Sequence, residues 1–207
     1  MPMKIDREYR DLQPLAPAEA EEKRVSGYAT TFNQPYLLWR SKDMEVWEQV
    51  DPHAFDQTDM TDVIMQYDHE GRVFARTRNH TLQLRSDEHG LMIDADLGGT
   101  EIGRQLYEEI RGGYTDKMSF GFTVKSDDWI DEQRDGYVKS TRTIKEIGKL
   151  YDVSAVSIPA NDATEISVKS LRDGVSARLE AERLERERLA KLEEKRAALR
   201  QKIGGQK

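Results

Sequence analysis

The alternation of apolar and polar positions changes period several times along this chain, and each change marks an element. Val25–Phe32 is β-prone and ends at the turn signal Asn33-Gln34-Pro35. Met44–Val50 alternates as a half-buried strand does. Asp51-Pro52 predicts a short helix reaching Phe55. Val63–Tyr67 is a further short strand, and it delivers the chain to Asp68-His69-Glu70-Gly71. Thr81–Arg85 and Leu91–Leu97 flank a polar turn at Ser86–Gly90, a hairpin pattern. Ile102, Leu106 and Ile110 recur every fourth position and predict one substantial helix, with Thr100 as its cap and Gly112-Gly113 as its stop. Lys117–Val124 returns to strand, Ser126–Gly136 reads as a polar surface loop, and Tyr137–Ile144 resumes β character. Leu150–Ile158 is the longest β-branched run and is closed by Pro159-Ala160-Asn161.

The two ends differ from this pattern. The stretch to about Lys23 is rich in Pro, Ala and Glu and reads as an arm. From Ser176 onward the residues are almost all strong helix formers. Leu179, Leu184, Leu189, Leu192, Leu199 and Ile203 do not sustain a heptad, and Glu182/Arg186 and Glu187/Lys191 are spaced for ion pairs along a solvated helix. The expected organisation is an arm over 1–23, a domain over 24–170 and a charged helical tail over 171–207. The expected fold class is α+β and mostly β, with many short strands forming an antiparallel sheet or barrel around one helix.

Composition narrows the function classes. At 207 residues the chain suits one domain with an appendage. Charged residues make up 34% of it, which again places part of the chain outside a core. No apolar run approaches the roughly 20 residues of a membrane helix. The charged start (Lys4, Asp6, Arg7, Glu8) lacks the apolar stretch of a signal peptide. With no cysteine there is no disulfide framework, thiolate nucleophile or cysteine zinc site, which fits an intracellular protein. A net charge of −7 argues against a duplex DNA binder.

Candidate chemistry centres on one histidine and one serine. Of His53, His69, His80 and His89, only His69 directly follows a predicted buried strand. Ser119 interrupts a hydrophobic strand between Met118 and Phe120, with Gly112-Gly113 before it and Gly121 after it. A hydroxyl beside glycine is open to substrate, and neighbouring N–H groups can hold an oxyanion. The plainer alternative is an outward-facing strand serine with Gly121 at a bulge. A serine hydroxyl needs a base within about 3 Å and a group that orients that base. His69 is the natural base. Asp152 is an attractive orienting group, because an unpaired carboxylate in an apolar strand is costly. Glu146, Asp68 and Glu70 compete for the same role, and spacing does not decide among them. Metal readings are weaker: Asp68, His69 and Glu70 alternate faces on a strand, and exposed strand positions explain Asp94 and Asp96 near His89 equally well. Walker, G-x-G-x-x-G and H-E-x-x-H motifs are absent.

Taken in order, the blocks Gly27–Phe32, Trp47-Glu48 with Pro52–Phe55, Asp68-His69, Gly90-Leu91, the helix ending at Gly112-Gly113, Met118–Phe122 and Leu150–Asn161 resemble the prohead maturation proteases of tailed bacteriophages. These are the HK97 type, related to the herpesvirus assemblins. The resemblance covers about 24–168; the order of the blocks is specific, although no single block is. It implies a small antiparallel β-barrel with peripheral helices. It also implies a serine endopeptidase that cleaves scaffold-like segments of the major capsid protein, and often itself, inside the immature capsid in the host cytoplasm. Carried over by position, Ser119 is the nucleophile and His69 the general base. The family strand usually carries glutamate in a Glu-Val-Ser pattern where this chain has Asp152, so Glu146 stays open as the third member. Assemblins use a second histidine there, and this chain has none after Ser119. An assemblin arginine that helps hold the oxyanion has Arg142 as its candidate counterpart. No cofactor, metal, nucleic acid or membrane partner is implied. The expected partners are the major capsid protein and its scaffold segment, with self-association possible, as in assemblins. The rival reading is a non-catalytic assembly protein that keeps the barrel and uses the charged helix as a scaffold.

Overall fold

A computed structural model describes residues 7–17, 23–156 and 161–204. The elements run β1 (Glu8–Pro17), β2 (Arg24–Thr31), β3 (Tyr36–Arg40), β4 (Met44–Val50), β5 (Ile64–Tyr67), β6 (Glu70–Arg76), β7 (Leu82–Ser86), β8 (Gly90–Asp96), α1 (Glu101–Arg111), β9 (Lys117–Arg134), β10 (Tyr137–Val156) and α2 (Asn161–Gly204). The chain divides into a strand-rich unit, Met1–Ser167, and a helical unit, Val168–Lys207. The class is α+β and mostly strand, as expected.

The main strand path is β3-β4-β10-β9-β1-β2-β8-β7, with β5 paired to β10 and β6 to β5. Its ends do not pair with each other among the described residues, so no closed barrel is found. Nor is the sheet purely antiparallel. The long strand β10 takes β4 along its first half and β5 along its second, both parallel. Two short strands thus line one edge of β10 while β9 lines the other.

Three local expectations are corrected. Residues 8–17 of the expected arm form β1, which is hydrogen-bonded on both sides, to β2 and β9. A Pro-containing segment with little pattern of its own becomes a strand because its neighbours supply the ladder. The expected loop at 126–136 is instead the far half of the β9–β10 hairpin, which turns at Asp135-Gly136, both with positive φ (50° and 79°). That two-residue turn matches the twist of the strands and lets polar residues alternate in a half-solvated ribbon. The segment at Asp51–Phe55 forms successive turns rather than a helix. The expected closure of the last strand at 157–160 lies outside the described residues.

One core serves the strand-rich unit. Phe120 and Phe122 stack with ring centroids 4.6 Å apart, and Phe55 and Phe32 continue the aromatic row. Around them lie Val25, Ile93, Leu106, Met118, Ile144 and Leu150, all buried. Helix α1 starts as its sequence predicts. Thr100 accepts a hydrogen bond from the Gly103 N–H at 3.0 Å, and Leu106, Tyr107 and Ile110 are buried. Gly103 is required by close approach: a Cβ there would lie 2.3 Å from the Leu97 carbonyl oxygen. Gly103→Ala is expected to destabilise the fold by about 1–3 kcal/mol, read as a lower urea midpoint at unchanged m-value. An unchanged midpoint would mean that α1 shifts freely at that contact.

In the helical unit, Leu184, Leu189 and Leu192 are each about half exposed (53%, 51% and 45%). Ion pairs form at i,i+3, Glu180 with Arg183 and Glu185 with Arg188, in place of the expected i,i+4 pairs. Val175 is buried, and from Glu180 to Arg196 this is a solvated charged helix.

Candidate active site

The geometry of the site begins with a slip in strand register. β9 and β10 pair as Ser119↔Ser154, Phe120↔Val153, Gly121↔Asp152 and Phe122↔Leu150. Two residues of β10 are spanned between Leu150 and Asp152, against one step of β9. Successive strand residues face opposite sides, so a one-residue slip moves everything beyond it to the other face. Leu150 therefore sits with Phe122 on the core face, while Asp152 and Ser154 share the face of Ser119. A regular strand would have left Asp152 on the core side with Leu150. Gly121, opposite Asp152, contributes no side chain to this face.

The β5–β6 hairpin brings His69 to the same place. Tyr67 pairs with Glu70, which leaves Asp68 and His69 as a two-residue loop with φ of 47° and 59°. Tight hairpin loops favour such left-handed residues, and Asp and His tolerate the region better than most. β5 lies parallel to β10 from Asp152↔Ile64 to Ala155↔Tyr67, and the Asp68 N–H donates to the Ala155 carbonyl at 3.0 Å. β10 thus carries the carboxylate and also anchors the hairpin that carries the imidazole.

The resulting contacts form a chain. His69 Nδ1 is 2.5 Å from Asp152 Oδ1, and His69 Nε2 is 2.6 Å from Ser119 Oγ. Asp152 Oδ1 also accepts from Ser154 Oγ at 2.9 Å. An ionised carboxylate only accepts, so Nδ1 carries the proton towards Asp152 and Nε2 is left to accept from the Ser119 hydroxyl. The arrangement can withdraw a proton from Ser119 as that oxygen attacks an electrophile. Ser119 and Ser154 are fully covered, and the His69 side chain is 11% exposed.

The other sequence candidates fall elsewhere. Glu146 pairs with Lys125 at 2.7 Å, both well exposed. Asp68 and Glu70 flank His69 in the chain and line a cleft beside it. Arg142 precedes Asp152 by ten residues on β10, and its guanidinium is held by Glu8, Glu48 and Asp127. The structure does not bring it to Ser119, which overturns its candidacy as an oxyanion donor. The N–H groups of β9 around Ser119 lie between two ladders, with β1 and β10. His53 pairs with Asp56 at the surface, His80 ends a short turn of 3₁₀ helix, and His89 meets Tyr28 edge-on at 4.5 Å. Asp94 is bound to Arg24. No group of residues suited to a metal ion occurs among the described residues.

Sequence reasoning missed Ser154. Its signal was available, since it lies two positions after Asp152 on one strand and must share its face. Removing its hydroxyl by Ser154→Ala deletes a hydrogen bond to a carboxylate, which is worth about 1.5 kcal/mol. The expected result is a roughly tenfold lower kcat at unchanged KM, rescued by Ser154→Thr. A purely structural role would move stability and leave kcat where it was.

A hydroxyl–imidazole–carboxylate chain on a mainly β scaffold is the arrangement that serine hydrolases use. The particular family follows from comparison with known proteins: residues 11–176 match the caudovirus prohead serine protease family, and the chain belongs to it. It is thus a phage serine protease of capsid maturation by family. No curated protein and no solved structure matches the chain.

Proposed function

We propose that Ser119, His69 and Asp152 are the catalytic triad of this protease, and that it cleaves scaffold segments of the major capsid protein inside the prohead. The observation that carries the reading is the unbroken chain Ser119 Oγ–His69 Nε2 and Nδ1–Asp152 Oδ1. In the first step the Ser119 oxygen attacks the scissile carbonyl and its proton passes to His69 Nε2. Asp152 stabilises the imidazolium and holds its tautomer. The imidazolium then protonates the leaving amine, which departs and leaves an acyl-enzyme. Water, deprotonated by the same nitrogen, releases the acid and restores Ser119. The resemblance places a glutamate where this chain has Asp152, and the one-residue slip in β10 puts this aspartate on the face of Ser119.

The finer architecture goes with this reading: a barrel-like wrapping of the strands around the shared core, with a protease domain that takes in β1 as well as the expected 24–170, and an appended charged tail over 171–207. We place the protein in the prohead in the host cytoplasm. Its tail serves as a contact to shell or scaffold, or as a segment removed by self-processing. Intact masses of the full-length and the particle-derived chain distinguish these two, because an uncut tail in mature particles sinks removal.

One observation favours the rival, non-catalytic reading: Ser119 is fully covered. A serine-directed phosphonylating probe decides between the two. Labelling at Ser119, mapped by peptide mass, supports the protease and requires that the cover opens. No adduct at any concentration, from a chain that is folded and assembled with capsid protein, favours the scaffold.

A further inference from the structure

The β5–β6 hairpin and α1 flank an open cleft of about 640 Å³, in the size range of specific ligand sites and larger than one side chain needs. Its near wall is formed by Asp68 and Glu70, the chain neighbours of His69 on either side, so the cleft begins one residue from the imidazole. Phe74 and Ile102 contribute apolar surface, and Glu109 faces them from α1. The lining charges are three carboxylates, Asp68, Glu70 and Glu109, against the single guanidinium of Arg72. Glu70 and Glu109 are exposed and make no ion pair among the described residues. The carboxylates therefore exceed their internal partners by two, beside an apolar wall and next to the triad.

We propose that this cleft is the recognition subsite of the protease. It takes an extended stretch of the substrate polypeptide in which a large aliphatic or aromatic side chain is neighboured by a lysine or arginine. The inference rests on the triad reading above and names what that site selects. The apolar side chain packs on Phe74 and Ile102, and the cation lies between the carboxylates of α1 and the hairpin tip. Because α1 and the hairpin are separate elements joined at the core, the charge on α1 can be reversed without touching the residues that hold His69. An acidic segment meets a like-charged rim and is rejected, which separates scaffold sequences of one charge pattern from another.

The test uses the full chain and a peptide mixture randomised on both sides of a cleavable bond, with products read by mass. A small phosphonylating probe, which engages Ser119 without filling the cleft, is run in parallel. Wild type is expected to select peptides with an apolar residue beside Lys or Arg. Glu109→Lys is expected to raise KM for those peptides about tenfold, while kcat and the rate of probe labelling stay unchanged. Added salt should weaken the basic preference of wild type and leave probe labelling alone. Selection of acidic or small residues by wild type would overturn the proposal, as would an unchanged peptide preference in Glu109→Lys. In both cases normal probe labelling would leave the triad standing. Loss of labelling and of all cleavage in wild type would remove the triad reading, and this subsite with it.

Discussion

Replacing Ser119 with alanine is expected to abolish trimming of the capsid protein while the chain still folds and still enters assembling shells. The attacking oxygen is the one atom for which the site has no substitute, and removing the nucleophile from a triad of this type lowers kcat by roughly 10⁶-fold. The structural cost is small by comparison. Ser119 is fully buried, and its hydroxyl meets His69 Nε2 at 2.6 Å, so alanine removes one hydrogen bond from the imidazole at a cost of about 1–3 kcal/mol. Met118 and Phe120 on either side of it keep the strand packed on the core face. The measurement is co-expression of each form with its cognate capsid protein, followed by intact mass. Trimming by wild type and none by the variant assigns the nucleophile. Equal trimming by both would show that the bond is cut by something else, and that Ser119 is a buried strand serine.

The largest effect on stability is expected at Glu48 on β4, beside the first half of β10 and away from the triad. Glu48 is fully buried and accepts hydrogen bonds from Arg10 (2.5 and 3.0 Å), Arg142 (3.0 Å) and the Tyr36 hydroxyl (2.5 Å). Glu8 takes both guanidiniums as well, and Asp127 takes Arg142 at 2.6 Å. Glu48→Ala would leave two buried guanidiniums short of their shared partner and is expected to cost about 3–5 kcal/mol. Lys125→Ala, which breaks an exposed pair with Glu146, is expected to cost no more than about 1 kcal/mol. Urea unfolding of both variants checks the contrast, and equal losses would mean that the cluster is replaceable by packing alone.

The same cluster sets an acid limit. Burial by itself would raise the Glu8 carboxyl. Hydrogen bonding and charge from Arg142 and Arg10 outweigh it and hold the group below its ordinary value of 4.5. A carboxyl lowered in the folded state contributes stability that is fully present above its unfolded value and is lost as pH falls through the folded one. Stability should therefore drop below about pH 4.5, and the drop should be smaller in Glu8→Gln. An identical acid profile in that variant would remove Glu8 from the explanation.

Much of the local structure was legible along the chain. Thr100 and the fourfold recurrence of Ile102, Leu106 and Ile110 define α1, because a helix is closed by bonds within a few residues. The alternation at Met44–Val50 likewise marks β4, and the strand pair around Ser86–Gly90 is the β7–β8 hairpin. β1 was not legible, since its ladder comes from strands far along the chain. Nor was the reach of β9 to Arg134, whose outer half reads as a loop because no residue from Ser126 to Arg134 is fully buried.

The candidate site divides the same way. Residue types and block order alone pointed to Ser119 and His69 and to this protease family. The third partner stayed open between Asp152 and Glu146, because sequence spacing does not state which face a strand residue takes after a slip. The slip at Tyr151 leaves Leu150 opposite Phe122 and Asp152 opposite Gly121, with β5 along the other edge of β10 from Asp152 onward. Arg142 shows the converse: its residue type suited an oxyanion, but three carboxylates from distant parts of the chain surround it. The sequence by itself determined the short-range elements, the chemical types at the site and the family. Only the tertiary structure decided which carboxylate meets the imidazole, because register is selected by contacts between strands and not by residues next to one another.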